Sequence, residues 1–166
     1  MKITKKRVML ALLAANVMLG GALWLTRADR QPGTLNFLCE STLSVTRAKD
    51  PDNKSFKFEG TVLVRFKSDN TGYLWLLGSA DYGTAQTNVA REVAFTYRSK
   101  DEDGIYAITP TAQNVTPRDN TPGVLIERQL IGTPGKVSSY VVRQANANTY
   151  SIGSIYTPFM MCVDRA

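Results

Sequence analysis

Hydrophobic and polar side chains alternate along most of the chain after residue 34. The clearest example is residues 56–66, where phenylalanine and valine occupy one face and mostly charged or hydroxyl side chains occupy the other. A period of two residues is typical of a β-strand with one buried and one solvated face. Gly60 interrupts the apolar face, which predicts a bulge or a sharp bend at that position.

Other segments have a similar strand-like pattern and are separated by short turns. Only residues 85–93 would tolerate a helical turn. Seven or eight strands within about 130 residues are typical of an antiparallel all-β domain. Their meander order favours a lipocalin-like barrel, closed or partly open, over the alternative of a β-sandwich. The predicted strands are residues 34–46, 56–66, 73–79, 89–98, 105–108, 124–130, 137–143 and 150–163.

The first residues follow a different pattern. Residues 8–25 are almost entirely apolar, with Asn16 as the one strongly polar member. As a helix this segment would be about 27 Å long, close to the roughly 30 Å hydrocarbon core of a bilayer. Residues 1–7 are basic, and the positive-inside rule would hold them in the cytoplasm. We therefore expect one N-terminal transmembrane helix as a signal anchor in a bacterial inner membrane, a linker at residues 26–34 and a periplasmic β-domain at residues 35–166.

A cleaved signal peptide is the alternative for this N-terminal segment. Gly20, Gly21 and Ala22 are small residues that could precede a cleavage site before Leu23. The β-domain would then be a free periplasmic binding or inhibitor barrel released by signal peptidase. The apolar run continues to Leu25, which favours the uncleaved anchor.

The location of the charged residues decides what the net charge means. The formal charge is +6, from 20 Lys and Arg against 14 Asp and Glu. Five basic residues and no acidic ones lie within residues 1–28, so the rest of the chain is nearly neutral. A basic leader sets membrane orientation, whereas a nucleic-acid-binding domain needs a basic surface of its own. We expect no direct contact with nucleic acid.

Two cysteines lie near the two ends of the predicted β-domain. Cys39 belongs to the first predicted strand and Cys162 to the last. An even number of cysteines in an oxidising compartment favours a disulfide, and the first and last strands of a closed meander become neighbours. We predict that a Cys39–Cys162 disulfide staples the barrel; two buried free thiols are the alternative.

Candidate catalytic chemistry is scarce in this sequence. It contains no histidine, which excludes Ser-His-Asp and Cys-His catalysis and histidine-ligated zinc. Asp101, Glu102 and Asp103 share one turn but lack the spacing of a calcium loop. No phosphate-binding glycine motif or nucleophile elbow can be placed. We expect a protein that is not an enzyme and that holds no cofactor or metal.

A set of aromatic residues has two interpretations. The simpler one is that they form the core of the domain. The other is that some of them line a cavity for an apolar or amphipathic small molecule, as in other small barrels. Both interpretations require apolar inward faces, so the pattern leaves them open. The residues are Phe56, Phe58, Phe66, Trp75, Phe95 and Tyr97.

The C-terminal segment, residues 150–163, is unusually apolar. Pro158 cannot donate a hydrogen bond to a neighbouring strand, so we expect this strand at a sheet edge or bulged at that residue. An edge would favour strand addition by another chain. The alternative is a strand paired within the barrel and held there by Cys162.

These features together resemble the FidL-like family of small enterobacterial inner-membrane proteins. The resemblance covers essentially the whole chain. It is carried by the basic start, the span at residues 8–25, the Phe-Glu-Gly motif at residues 58–60, residues 91–97 and residues 158–162.

The resemblance implies a function through a partner protein. It implies a non-enzymatic, ToxS-like accessory partner of a ToxR-like membrane-spanning transcription regulator, and hence signal transduction and virulence regulation. Related protein pairs form a lipocalin-like barrel together and bind bile salts, so the resemblance also implies an amphipathic ligand without assigning residues to it. We expect a single-pass inner-membrane protein whose periplasmic β-domain binds and modulates or stabilises such a regulator.

Overall fold

Eight β-strands form a closed antiparallel barrel in which every strand is hydrogen-bonded to the next and the last returns to the first. The prediction of an all-β antiparallel barrel is therefore confirmed, and the sandwich alternative is excluded. The strands are β1 (Phe37–Arg47), β2 (Phe56–Phe66), β3 (Thr71–Tyr82), β4 (Ala85–Ser99), β5 (Ile105–Val115), β6 (Ser138–Asn146), β7 (Thr149–Gly153) and β8 (Pro158–Asp164).

This architecture comes from a computed structural model that describes residues 16–18, 21, 34–49, 53–101 and 103–165. The chain divides into two units, residues 1–32 and residues 33–166, and the barrel belongs to the second. The predicted span at residues 8–25 lies largely outside the described residues. None of the helices among the described residues is long and apolar enough to cross a membrane.

The alternating pattern of β2 explains how the barrel closes around one core. Phe56, Phe58, Val62 and Phe66 are each at most 2% exposed and point inward. Gly60 does not cause the predicted bulge, because β2 pairs with β3 in unbroken register throughout. A side chain on Gly60 would overlap the backbone of the facing strand. The glycine therefore permits a close approach of two strands.

Residues 124–130 are helical, and the prediction of a strand there is wrong. A short helix, α1 (Gly123–Ile126), continues directly as a π-helical turn, Glu127–Ile131. We call residues 123–131 the strap. Pro122 precedes its first turn, and Gly132 ends it with φ at 83°. A segment this short between proline and glycine fits either structure, and the buried positions Ile126 and Ile131 are five residues apart, an odd separation that would place them on opposite faces of a strand.

Two other segments also differ from the predicted pattern. Residues 85–93 form part of the long strand β4 and contain no helical turn. The tail predicted as a single strand is two strands, β7 and β8, joined by a turn at residues 154–157. The register between them shifts where Gly153 faces Pro158, which is the irregularity that a proline imposes on a ladder.

The Cys39–Cys162 disulfide joins the first strand to the last, with the two Cα atoms 5.3 Å apart. Both residues are completely buried. The ladder between β1 and β8 contains only two residue pairs, Cys39 with Asp164 and Glu40 with Val163. The covalent bond therefore reinforces the weakest seam of the barrel, in agreement with the sequence-based prediction.

Candidate functional site

A cavity of about 290 Å³ lies inside the barrel. Strands β1 to β5 and β8 each contribute at least two side chains to its lining, β6 and β7 contribute one each, and the strap contributes Leu130 and Ile131. The lining residues are Leu43, Val45, Arg47, Val62, Val64, Phe66, Leu74, Leu76, Val93, Phe95, Ile108, Pro110, Leu130, Ile131, Tyr140, Ile152, Phe159 and Met160.

An aromatic cluster packs against the cavity. Phe66 lies at its centre, with its ring centroid 5.0 Å from that of Phe37 and 5.2 Å from those of Phe95 and Tyr97. The Tyr97 hydroxyl accepts from the backbone N–H of Leu35 and donates its one proton to the carbonyl oxygen of Lys67, 2.6 Å away, with the Leu35 carbonyl oxygen as a second acceptor at 2.9 Å. Burial raises the pKa of Tyr97, and the hydrogen bonds of its hydroxyl connect Leu35, just before β1, to the β2–β3 turn.

A buried ion pair lies on another side of the interior. Arg91 occupies an inward position of β4 and is 0% exposed. Its Nε and one terminal nitrogen donate to the two carboxylate oxygens of Asp119, at 2.7 and 2.6 Å. Its remaining contacts are the side-chain oxygen of Gln113 at 3.2 Å and the carbonyl oxygen of Thr121 at 2.5 Å. The guanidinium is therefore surrounded by acceptors.

Asp119 belongs to the loop between β5 and the strap. Its carboxylate also accepts from the backbone N–H groups of Ala90 and Thr121. Burial alone would raise the pKa of Asp119, but the hydrogen bonds from Arg91 and from these two N–H groups outweigh it and hold the pKa below its ordinary value. The ionised pair fixes the loop to β4 and thereby sets where the strap begins.

The strap is connected to the barrel at two further points. Gln113 on β5 donates through its amide nitrogen to the carboxylate of Glu127 at 2.8 Å. Arg47 at the end of β1 donates from Nε to the carbonyl oxygen of Gln129 at 3.3 Å. These contacts hold the strap so that Leu130 and Ile131 point into the cavity.

The cavity has an accessible side, formed by Arg47, Tyr140 and Phe159, which we call the mouth. Arg47 is exposed and Phe159 is 49% exposed, although both line the cavity. The rings of Tyr140 and Phe159 meet edge to face with centroids 5.9 Å apart. Burial raises the pKa of Tyr140, and the nearby positive charge of Arg47 acts in the opposite direction.

The mouth coincides with a partial separation of two strands. Beyond Glu40, β1 has no residue paired with β8 among the described residues. A side-chain hydrogen bond from Ser41 to the carbonyl oxygen of Met161, 2.8 Å long, joins the two strands next to the last backbone pair. Inward side chains of β1 from Leu43 onward therefore line a cavity whose wall is incomplete on one side.

The six aromatic residues singled out from the sequence lie in different places. Phe66 and Phe95 line the cavity, whereas Phe56, Phe58 and Tyr97 are buried in the core without lining it. Trp75 is half-buried and lies between Leu74 and Leu76 on β3, both of which line the cavity. Its side chain therefore points to the outer face of the barrel.

Sequence reasoning did not single out the aliphatic lining, the mouth or the buried ion pair. One signal was available for the last of these. Arg91 stands between Val89 and Val93 in an inward row, and a charged residue in such a position predicts a buried partner. The partner, Asp119, is 28 residues away in a loop, and no local pattern indicates that it returns to β4.

A row of apolar side chains lies along β8 and the turn before it. Five of them are roughly half exposed or more: Ile155 61%, Tyr156 93%, Phe159 49%, Met161 55% and Val163 50%. Of these, Phe159 also lines the mouth of the cavity. We call these five residues the β8 row. Contiguous exposed apolar surface of this kind is typical of an interaction site.

The described residues offer little for metal binding or catalysis. Nowhere among them do three or more His, Cys, Asp or Glu side chains cluster as metal ligands would. Both cysteines are in the disulfide, and the buried Arg91 and Asp119 side chains are hydrogen-bonded to each other. The arrangement is suited to holding an apolar molecule.

Comparison with known proteins gives one family match. The family model described as "FidL-like putative membrane protein" matches residues 78–162, from the middle of β3 to the second cysteine of the disulfide. No curated protein and no solved structure matches the chain.

Proposed function

Because the chain belongs to the FidL-like family of membrane proteins, we propose that it is a non-enzymatic accessory protein of the bacterial inner membrane. Its N-terminal segment crosses the membrane once and places the β-barrel in the periplasm. The barrel binds a small apolar or amphipathic molecule and modulates or stabilises a ToxR-like transmembrane transcription regulator. Anchoring both proteins in one membrane raises their effective concentration.

The cavity is the observation that carries the ligand-binding part of this proposal. A cavity of about 150 Å³ lined by aliphatic and aromatic residues stays dry and binds benzene, and this cavity, of about 290 Å³, is almost twice as large. An apolar cavity of this size without a ligand lacks packing contacts that a close-packed core would make. A hydrocarbon ligand would supply those contacts.

Photolabelling tests ligand binding. The full chain in lipid nanodiscs is irradiated with decanol carrying a diazirine, and the labelled peptides are mapped by mass spectrometry. We expect label on the peptides that line the cavity. Leu74→Trp, which fills the cavity, should remove most of it, whereas Leu77→Trp should not, because Leu77 is 47% exposed on the other face of the same strand. Equal labelling in both variants, or none in the barrel, contradicts ligand binding.

The β8 row supports the partner-binding part of the proposal. An extended apolar segment of a partner could pack against it, and the adjoining end of β1 offers backbone groups that no strand other than β2 pairs with among the described residues. Strand addition uses both kinds of contact at once. The ToxR-like identity of the partner comes from the family resemblance.

Site-specific crosslinking tests the partner. A photoreactive amino acid at Met161, in the β8 row, should crosslink to a ToxR-like regulator in intact membranes. The same amino acid at Thr96, exposed on β4, should not. Recovery of an uncrosslinked monomer from both positions would remove the regulator from the proposal.

The alternative is a free periplasmic barrel released by signal peptidase. The mass of the mature N-terminus decides between the two. A chain beginning at Met1 or Lys2 supports the anchored protein, and one beginning near Leu23 supports the released barrel.

A further inference from the structure

We propose that the cavity selects an amphiphile with one hydrocarbon chain and an anionic head, and that Arg47 at the mouth binds the head. This inference rests on the proposed ligand-binding function and adds the chemical class of the ligand. It concerns a residue that neither the sequence pattern nor the family match assigns.

The polar groups of the cavity are concentrated at the mouth. Of the 18 lining residues, 16 have wholly apolar side chains, and the two exceptions are Arg47 and Tyr140. Arg47 is exposed, and the ring of Tyr140 contacts that of the half-exposed Phe159, so both polar side chains lie where the cavity meets solvent. A cavity that is apolar inside and polar at one side matches an amphiphile, because each part of the ligand then meets its preferred surroundings.

Arg47 retains donors for a ligand. Its Nε donates to the Gln129 carbonyl oxygen, and a guanidinium carries five N–H donors. Among the described residues Arg47 forms no ion pair within 4 Å. This contrasts with Arg91, whose guanidinium directs four of its five N–H donors to Asp119, Gln113 and Thr121. A carboxylate or phosphate could bind Arg47 in the bidentate geometry that guanidinium groups favour.

The size of the cavity limits the hydrophobic part. Its 290 Å³ is at the lower end of the roughly 300–1,000 Å³ found for small-molecule sites. One hydrocarbon chain fits such a volume, and a lipid with two chains does not. A free fatty acid and a one-chain phospholipid share the required chemistry.

Matched probes test the inference. Diazirine-bearing decanoate and decanol have the same chain and differ in the head, and each is titrated against the full chain in nanodiscs at about pH 8, where the carboxylate is ionised. Because Arg47 is solvent-exposed, we expect a modest preference: half-maximal labelling by decanoate at an about tenfold lower concentration than by decanol. Unlabelled decanoate and lysophosphatidylglycerol then compete, and the stronger competitor identifies the source of the anionic head.

Substitutions at Arg47 test whether this residue causes the preference for decanoate over decanol. Arg47→Gln should abolish the preference for decanoate, with decanol labelling of the same variant measuring any general effect of the substitution on the cavity, and Arg47→Lys should restore part of the preference. Lys49→Gln removes a nearby exposed positive charge outside the cavity lining and should change neither probe.

The outcomes separate the two proposals. Equal labelling by the two probes, or a preference that persists in Arg47→Gln, overturns the anionic-head inference while ligand binding stands. Absence of label from both probes in the cavity removes the ligand-binding function itself.

Discussion

The buried pair of Arg91 and Asp119 gives the sharpest stability prediction. Both side chains are 0% exposed, and the Asp119 carboxylate accepts two hydrogen bonds from Arg91 and one each from the N–H groups of Ala90 and Thr121. Asp119→Ala leaves a buried guanidinium without its counter-ion and two N–H groups without their acceptor. Removing one member of a buried pair costs about 3–5 kcal/mol, which lowers Tm by about 10–20 °C in a domain of this size.

A double-mutant cycle shows whether this loss of stability comes from the interaction between Arg91 and Asp119. The cycle combines Arg91→Met with Asp119→Asn, since asparagine keeps one oxygen acceptor for the loop. We expect a coupling of at least about 2 kcal/mol, because the double variant no longer leaves an unpaired buried charge. Urea denaturation of each variant supplies the four free energies. Additive costs, or a loss below about 1 kcal/mol for Asp119→Ala, would show that the pair is solvated and the reasoning is wrong.

The Arg91–Asp119 pair should also make the stability of the fold depend on pH in the acidic range. The pKa of Asp119 is below its ordinary value in the folded protein, so the ionised form stabilises the fold above the unfolded pKa of about 3.9. That contribution is lost as the pH falls through the lower folded pKa. Denaturation midpoints measured from neutral pH downward should fall more steeply below about pH 4 in the wild type than in Asp119→Asn. Parallel curves for the two proteins contradict this assignment.

Three further substitutions test other parts of the barrel. Replacing Cys39 and Cys162 with alanine opens a loop of 123 residues and should lower the free energy of unfolding by up to about 5 kcal/mol in the chain-entropy model. Thiol labelling of the unreduced, denatured wild type should find no free cysteine. Gly60→Ala should lower Tm, because its Cβ would overlap the Leu77 carbonyl oxygen, and an unchanged Tm would argue against the close approach. Thr116→Val should raise stability by about 1 kcal/mol in urea denaturation, because the buried Thr116 hydroxyl has no hydrogen-bond partner among the described residues; a decrease would indicate that the hydroxyl is hydrogen-bonded in solution.

Much of the fold could be predicted because its determinants are local. The alternation of apolar and polar side chains along residues 56–66 indicates which face of the strand is buried. Turn-forming residues indicate where the strands end. The strap could not be predicted in the same way. Residues 124–130 are too few for a helical period to be distinguished from a buried strand. Their conformation is set by Pro122 and Gly132 at the ends and by the interior that Ile126 and Ile131 fill.

The residues that line the cavity could be predicted from the sequence less well than the fold. Phe56 and Phe58 were candidate cavity residues because they are aromatic, but they pack in the core. The cavity is lined mainly by leucine, isoleucine and valine. A pattern assigns each side chain to a face, but both core and cavity require the same apolar face. Whether the space between inward side chains is filled depends on the barrel's dimensions and on the strap, and neither is a local property.

The sequence by itself determined the all-β meander, the inward face of residues 56–66 and the pairing of Cys39 with Cys162, because period and chain order carry that information. Only the tertiary structure decided that Asp119 reaches Arg91, that the strap contributes to the interior and that Arg47 stands at the mouth. Those contacts join residues far apart in the chain. Their physical cause is the closure of the sheet, which brings together side chains that no local pattern relates.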